Sequence, residues 1–127
     1  MAPSERAKQM RGSADRGSLE ALTVLGLWHL LGKEGLEKDD VKAAALFREA
    51  AILGHASAQS QRTTCYYNGT GEEQSDALAA EWGRKAADQG EAEAQGIVGT
   101  MYALGEGVQT GPASGEAKPG AQRRAGL

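Results

Sequence analysis

Three times along the chain a helix-compatible run closes on a glycine in the same way: Ser13-Ala14-Asp15-Arg16-Gly17, Ala50-Ala51-Ile52-Leu53-Gly54 and Ala86-Ala87-Asp88-Gln89-Gly90. The closing glycines stand 37 and then 36 residues apart. A glycine just past the last turn takes up the left-handed conformation that ends a helix without the steric penalty of a Cβ. A fixed period of this size marks an array in which each unit buries its apolar face only against its neighbours. No other feature restricts the fold as much.

Between the closures lies a second recurring pattern, clearest in Glu91 to Val108 (EAEAQGIVGTMYALGEGV). Ala94, Val98, Met101 and Tyr102 fall on one helical stripe, and Gly105 and Gly107 stop it. Its upstream counterparts are Ser18 to Leu31, before the turn Gly32-Lys33-Glu34-Gly35, and His55 to about Asn68, before Gly69-Thr70-Gly71. A trailing helix follows each turn. Asp39 or Asp40 caps the first, Asp40 to Leu53, with the stripe Ala43, Leu46, Phe47, Ala50 and Ala51. Ser75 or Asp76 caps the second, ending at Gln89, with the stripe Ala79, Trp82, Gly83, Ala86 and Ala87. The two stripes coincide at a shift of 36, and the one extra residue of the first unit lies in the Lys33-Glu34 turn, where an insertion costs little.

The expected architecture is an all-α superhelical solenoid of about six helices. Residues 1–17 are the trailing helix of an incomplete unit, 18–54 and 55–90 are full units, and 91–108 is the leading half of a third. Residues 109–127, with Gly111, Pro112, Gly115, Pro119, Gly120 and Gly126, carry helix breakers throughout and are expected to be disordered. The trailing helix due there is missing, so Val98, Met101 and Tyr102 are expected to be partly uncovered.

Charge and composition narrow the function. The net charge is −3, with 11 Lys+Arg against 16 Asp+Glu in residues 1–108 and 3 against 1 in 109–127, which argues against a nucleic-acid partner. No apolar run approaches a membrane span and the first residues form no secretory leader, so a cytoplasmic protein with no membrane partner is expected. Cys65 is the only cysteine, which excludes an internal disulfide and a thiolate metal cluster. His29 and His55 read as a packed residue and a helix-opening residue. With Cys65 they fall short of a zinc site, so no metal and no cofactor is expected. Cys65 shares its column with Trp28 and Met101, the mark of core filler and not of an activated nucleophile. Asp39-Asp40 and Glu72-Glu73 sit at turn-to-helix junctions, where carboxylates favour the helix N-terminus, and are read as caps. Gly69-x-Gly71 and Gly105-x-Gly107 follow no strand and lack the lysine of a phosphate loop.

The segment Ala92-x-Ala94-Gln95-x-x-Val98-Gly99-x-Met101-Tyr102-x-x-Gly105-x-Gly107-Val108 resembles the first half of a Sel1-like repeat. Lys42-Ala43-x-x-Leu46-Phe47-x-x-Ala50-Ala51-x-x-Gly54 and Ala79-x-x-Trp82-x-Arg84-Lys85-Ala86-Ala87-x-x-Gly90 resemble its second half. The resemblance covers residues 13–108. It implies helical hairpins stacked in a right-handed superhelix, related to tetratricopeptide repeats, and scaffold or adaptor work without a fixed reaction. Cysteine-rich members of that family act on β-lactams with paired cysteines in every repeat, a pattern that one Cys65 does not fit. The sequence departs from the pattern where Arg62-Thr63 replaces the Leu-Gly of the second leading helix. A charge in a packing column must find a partner, and this unit is expected to pack least tightly.

Stacked hairpins place their leading helices side by side on the inner wall. Shifting by 37 and then 36 gives three ladders across that wall: Thr23, Ser60 and Gly96; Leu27, Thr64 and Thr100; Leu30, Tyr67 and Ala103. They are small, hydroxylic or apolar, and suit a partner's helix or extended peptide. The expected function is therefore a non-enzymatic protein–protein interaction module. The alternatives are a piece of a larger repeat protein whose ends need a partner or self-association, and an enzyme built on the array.

Overall fold

The computed structural model describes residues 2–106, and the expectation of disorder over 109–127 falls outside them. Among the described residues there are six helices and no strands: α1 (Glu5–Asp15), α2 (Leu19–Leu31), α3 (Asp40–Ile52), α4 (Ala56–Asn68), α5 (Asp76–Asp88) and α6 (Ala92–Leu104).

The helix ends repeat with the sequence. At the trailing closures the amides of Ser18, His55 and Glu91 donate to the carbonyls of Ser13, Ala50 and Ala86 at 3.0, 3.1 and 3.1 Å. At the leading closures Lys33, Thr70 and Glu106 donate to Trp28, Cys65 and Met101 at 2.8, 2.9 and 2.9 Å. Each bond spans five residues and satisfies a carbonyl that a bare helix end would leave unpaired. Side chains cap four N-termini: Ser4, Ser18, Asp39 and Ser75 accept from the amides of Ala7, Ala21, Lys42 and Leu78. His55 and Glu91 open α4 and α6 without such a bond. Instead Gln59 and Gln95, one turn inside, each reach back with Nε2 to a last-turn carbonyl of the preceding helix, Ala51 and Ala87, both at 3.2 Å.

Consecutive helices pack together, and α2 touches α4 as α4 touches α6, so leading helices adjoin one another across units. The core is built largely from alanines. One cluster joins Ala14, Ala21, Leu22, Leu25, Leu46, Ala50, Ala51 and Ala58 across α1 to α4. A second places Phe47 with Ala43, Ala44 and Cys65, and a third places Met101 with Ala79 and Ala80. Small side chains let helix axes approach closely, and the few large ones fill what remains.

Two expectations are corrected here. Met101 is fully buried and Val98 is 9% exposed, because α5 covers them; of the three residues expected to be open, only Tyr102, at 42%, stands out. Among the described helices, the second unit, expected to pack least tightly, contains the most extensive pair, α4 with α5. Arg62 is only 5% exposed, and its guanidinium lies over the rings of Tyr66 (4.8 Å) and Trp82 (5.1 Å) and pairs with Glu72 Oε1 at 3.2 Å. Trp82 stands where the first unit has Leu46, and Arg62 where it has Leu25. Both positions differ between the two units, and a cation–π stack occupies the place of an aliphatic contact.

Candidate functional site

The nine ladder positions do not share one environment. Thr23 (3% exposed) and Ser60 (2%) are buried, whereas Gly96 is open. α2 adjoins α4 and α4 adjoins α6, whereas no described helix follows α6. Thr23 Oγ1 donates to the Leu19 carbonyl at 2.9 Å, while Ser60 Oγ is buried without a hydrogen-bond partner. A partner cannot reach either side chain while the helices stay packed, which removes this column from an accessible wall. The other two columns remain reachable. Leu27, Thr64, Leu30 and Tyr67 are half-buried, and Thr100 and Ala103 are exposed. Leu27 and Leu30 rest against the Phe47 cluster, and Tyr67 against the Met101 cluster. Thr64 Oγ1 donates to Glu93 Oε1 at 2.8 Å, and Tyr67 Oη donates to the buried Glu106 at 2.8 Å. Both bonds tie α4 to the third unit, so the rungs are held at fixed spacing.

The remaining candidates resolve into structural roles. His29 is 6% exposed, and its Nδ1 donates to the Glu37 carbonyl at 3.0 Å, an assignment that follows because a carbonyl only accepts. It pins the first turn onto α2. Cys65 is buried, and burial first, then the neighbouring Glu72 carboxylate, push its thiol up to about 11. A thiol held neutral is a poor nucleophile. Asp39 caps α3, and Asp40 pairs with Lys38 at 2.8 Å. Glu72 differs from the cap expected of it. Ser75 caps α5, and Glu72 instead bridges Arg62 and Arg48, at 3.2 and 3.5 Å. Burial, then the hydrogen bond to Glu72, raise the Tyr66 phenol above its ordinary value.

This charged cluster borders an open cleft of about 560 Å³, lined by Arg48, Tyr66, Leu78 and the turn from Gly71 to Ser75. Sequence reasoning marked Arg62 as a charge in need of a partner and missed which residue answers it. Glu72 lies ten positions on, in a turn, where no helical spacing points to it. Among the described residues no three or more His, Cys, Asp or Glu side chains gather to hold a metal. No described helix is long and apolar enough to cross a membrane.

The comparisons agree with this geometry. The model of the Sel1 repeat matches residues 19–55 and 58–91. Among solved structures, a protective antigen of uropathogenic Escherichia coli displaying an SLR fold is 31% identical, with a TM-score of 0.76 over 80% of this chain. A Sel1 repeat protein from Oxalobacter formigenes is 30% identical, with a TM-score of 0.70, over 73% of this chain and 69% of its own. The chain spans 22% of the length of the first of these. No curated protein matches it. Sel1 repeats generally serve as protein–protein interaction modules and are typically non-catalytic. On its sequence matches and its hairpin array, this chain belongs to the Sel1 repeat family.

Proposed function

We propose that the chain is a non-enzymatic adaptor that receives a helix or extended segment of a protein partner across α2, α4 and α6. The observation that carries this reading is the pair of reachable ladders, Leu27–Thr64–Thr100 and Leu30–Tyr67–Ala103, on three adjoining helices. Their side chains are apolar or hydroxylic, and an amphipathic segment laid across them would bury apolar area while its backbone stays satisfied. The neutral Cys65 and the engaged His29 support a role without chemistry.

The test is to capture partners with the full chain and with a Leu30→Glu/Thr100→Glu/Ala103→Glu variant, checking helicity by circular dichroism. A control variant, Ala45→Glu/Ala77→Glu, charges exposed positions of α3 and α5. Loss of capture in the first variant alone supports the reading. Capture that survives it, or that fails only in the control, overturns it.

A further inference from the structure

One junction recurs in both full units and is furnished differently in each. Shifted by 37, Ala7, Arg11, Leu25 and His29 fall on Ala44, Arg48, Arg62 and Tyr66, and across the shorter second turn Leu36 falls on Glu72. In each unit the junction joins a trailing helix, the leading helix after it and the turn beyond. The second unit answers its own charges there: Glu72 pairs with Arg62 at 3.2 Å and with Arg48 at 3.5 Å. The first unit keeps the cation, Arg11, but sets aliphatic Leu25 and Leu36 in the places of Arg62 and Glu72. A cavity of about 240 Å³ lies there, walled by Ala7, Leu25, His29 and Leu36, with Lys8 and Arg11 beside them. An open cleft borders the same junction in the second unit, where α2 is in place before α3, so the opening is a property of the unit.

Two further features of the cavity point to a ligand. Lys8 and Arg11 hold only exposed pairs on their own helix, with Glu5 at 3.7 Å and Asp15 at 4.0 Å, and such pairs contribute little and exchange readily. His29 is 6% exposed, and with Nδ1 donating to the Glu37 carbonyl its Nε2 is an acceptor that makes no hydrogen bond with the described residues. We propose that the cavity binds a small hydroxylated aromatic acid. Its ring lies against Leu25 and Leu36, its carboxylate faces Arg11 and Lys8, and its hydroxyl donates to His29 Nε2. The ligand thereby brings to the first unit what Glu72 and Tyr66 bring to the second, a carboxylate and a ring bearing a hydroxyl. The volume lies below the range of about 300–1,000 Å³ that drug-sized ligands fill, which selects a single-ring compound. The cavity shares no residue with the ladders and stands apart from the inner-wall reading.

Titration of the full chain with 4-hydroxybenzoate, followed by two-dimensional NMR, tests this. The signals of Leu25, His29 and Leu36 should shift and saturate with a dissociation constant of about 1 mM or below. Phenol, which lacks the carboxylate, should bind at least about tenfold more weakly, and benzoate, which lacks the hydroxyl, should bind more weakly too. Arg11→Gln alters an exposed side chain and should fold as the parent does, yet weaken binding by about tenfold. Arg48→Gln, the same change in the second unit, should leave binding unchanged. Leu36→Glu sets the second unit's carboxylate opposite Arg11 and should abolish binding. The proposal is overturned if no signal saturates, if the shifts gather around Arg48 and Tyr66 instead, if phenol binds as tightly as the acid, or if Arg11→Gln binds as the parent does. A dipeptide ending in tyrosine that binds more than about tenfold tighter than 4-hydroxybenzoate would assign the cavity to a partner's C-terminus and also overturn it.

Discussion

Gly26 and Phe47 are fitted to each other: a Cβ on Gly26 would lie 2.5 Å from Cε1 and 2.8 Å from Cδ1 of the fully buried ring. In the second unit the sizes are exchanged. Thr63 takes the place of Gly26, and Gly83 that of Phe47, where a Cβ would fall 3.2 Å from Thr63 Cγ2 and 2.6 Å from Val98 Cγ2. Thr63 is smaller than Phe47, and Val98 of α6 also approaches Gly83, so both contacts are filled with different side chains, which is what close packing of helix axes demands.

Gly26→Ala should therefore destabilise the chain by about 1–3 kcal/mol, against a gain of about 1 kcal/mol expected from helix propensity alone. Adding Phe47→Leu should return part of the loss, because the smaller side chain vacates the space. Urea midpoints of the two single variants and the double variant check this. Strict additivity would mean that the two positions are not in contact.

Arg62 and Glu72 are each almost enclosed, and their pairing makes the charge in the α4 column tolerable. Truncation by Arg62→Ala leaves the carboxylate only the exposed Arg48, at 3.5 Å, as an ion-pair partner and should cost about 3 kcal/mol. The double variant Arg62→Leu/Glu72→Gln, which removes both charges and keeps apolar volume against Trp82, should be more stable than Arg62→Ala by at least about 1 kcal/mol. Thermal unfolding followed by Trp fluorescence reads both. Equal losses would show that the charges matter less than the stacked rings.

The spacing of Gly17, Gly54 and Gly90 was enough to read the helix order, because helix termination is a local property of a few residues. The ladders were legible only in part. Thr23 and Ser60 share the helical phase of an inner-wall position, yet both are buried in the folded array, and phase on one helix carries no information about how close its neighbour comes. The exchange of Gly26 and Phe47 for Thr63 and Gly83 was hidden for the same reason. Thr63 alone looked like a departure from the pattern, and what compensates it lies on other helices. Glu72 was misread as a cap since its partner Arg62 is brought near by the fold of the turn, not by helical spacing.

Cys65 gives a dependence on pH whose sign follows from its environment. Its thiol rises from an ordinary 9.0 to about 11 in the folded chain, through burial first and then the Glu72 carboxylate. Below pH 9 both states hold the proton and the full stability is present. Between about pH 9 and 11 the unfolded state releases it first, so stability should fall as pH rises, by up to about 2–3 kcal/mol from this group. The difference in denaturation midpoint between the parent and Cys65→Ala should shrink over that range. At pH 8 a thiol reagent should label Cys65 only as fast as the chain opens. Immediate labelling of the folded protein would contradict the burial.

Gly71 holds two units together through a backbone contact. Its φ is +71°, and a Cβ there would lie 2.1 Å from the Asp40 carbonyl oxygen at the start of α3. A clash with backbone has no flexible side chain to relieve it, so Gly71→Ala must either distort the turn or push the second hairpin off the first. Gly54 provides the comparison: its φ is +96°, but a Cβ meets nothing within 4 Å. Gly54→Ala should cost only the left-handed strain, about 1–2 kcal/mol. Gly71→Ala adds a steric term to similar strain and should cost about 3 kcal/mol or more. Hydrogen exchange separates the two by location. Gly54→Ala should loosen the end of α3, whereas Gly71→Ala should expose amides at the start of α3 and along the α4–α5 turn together, because both sides of that junction lose the same contact.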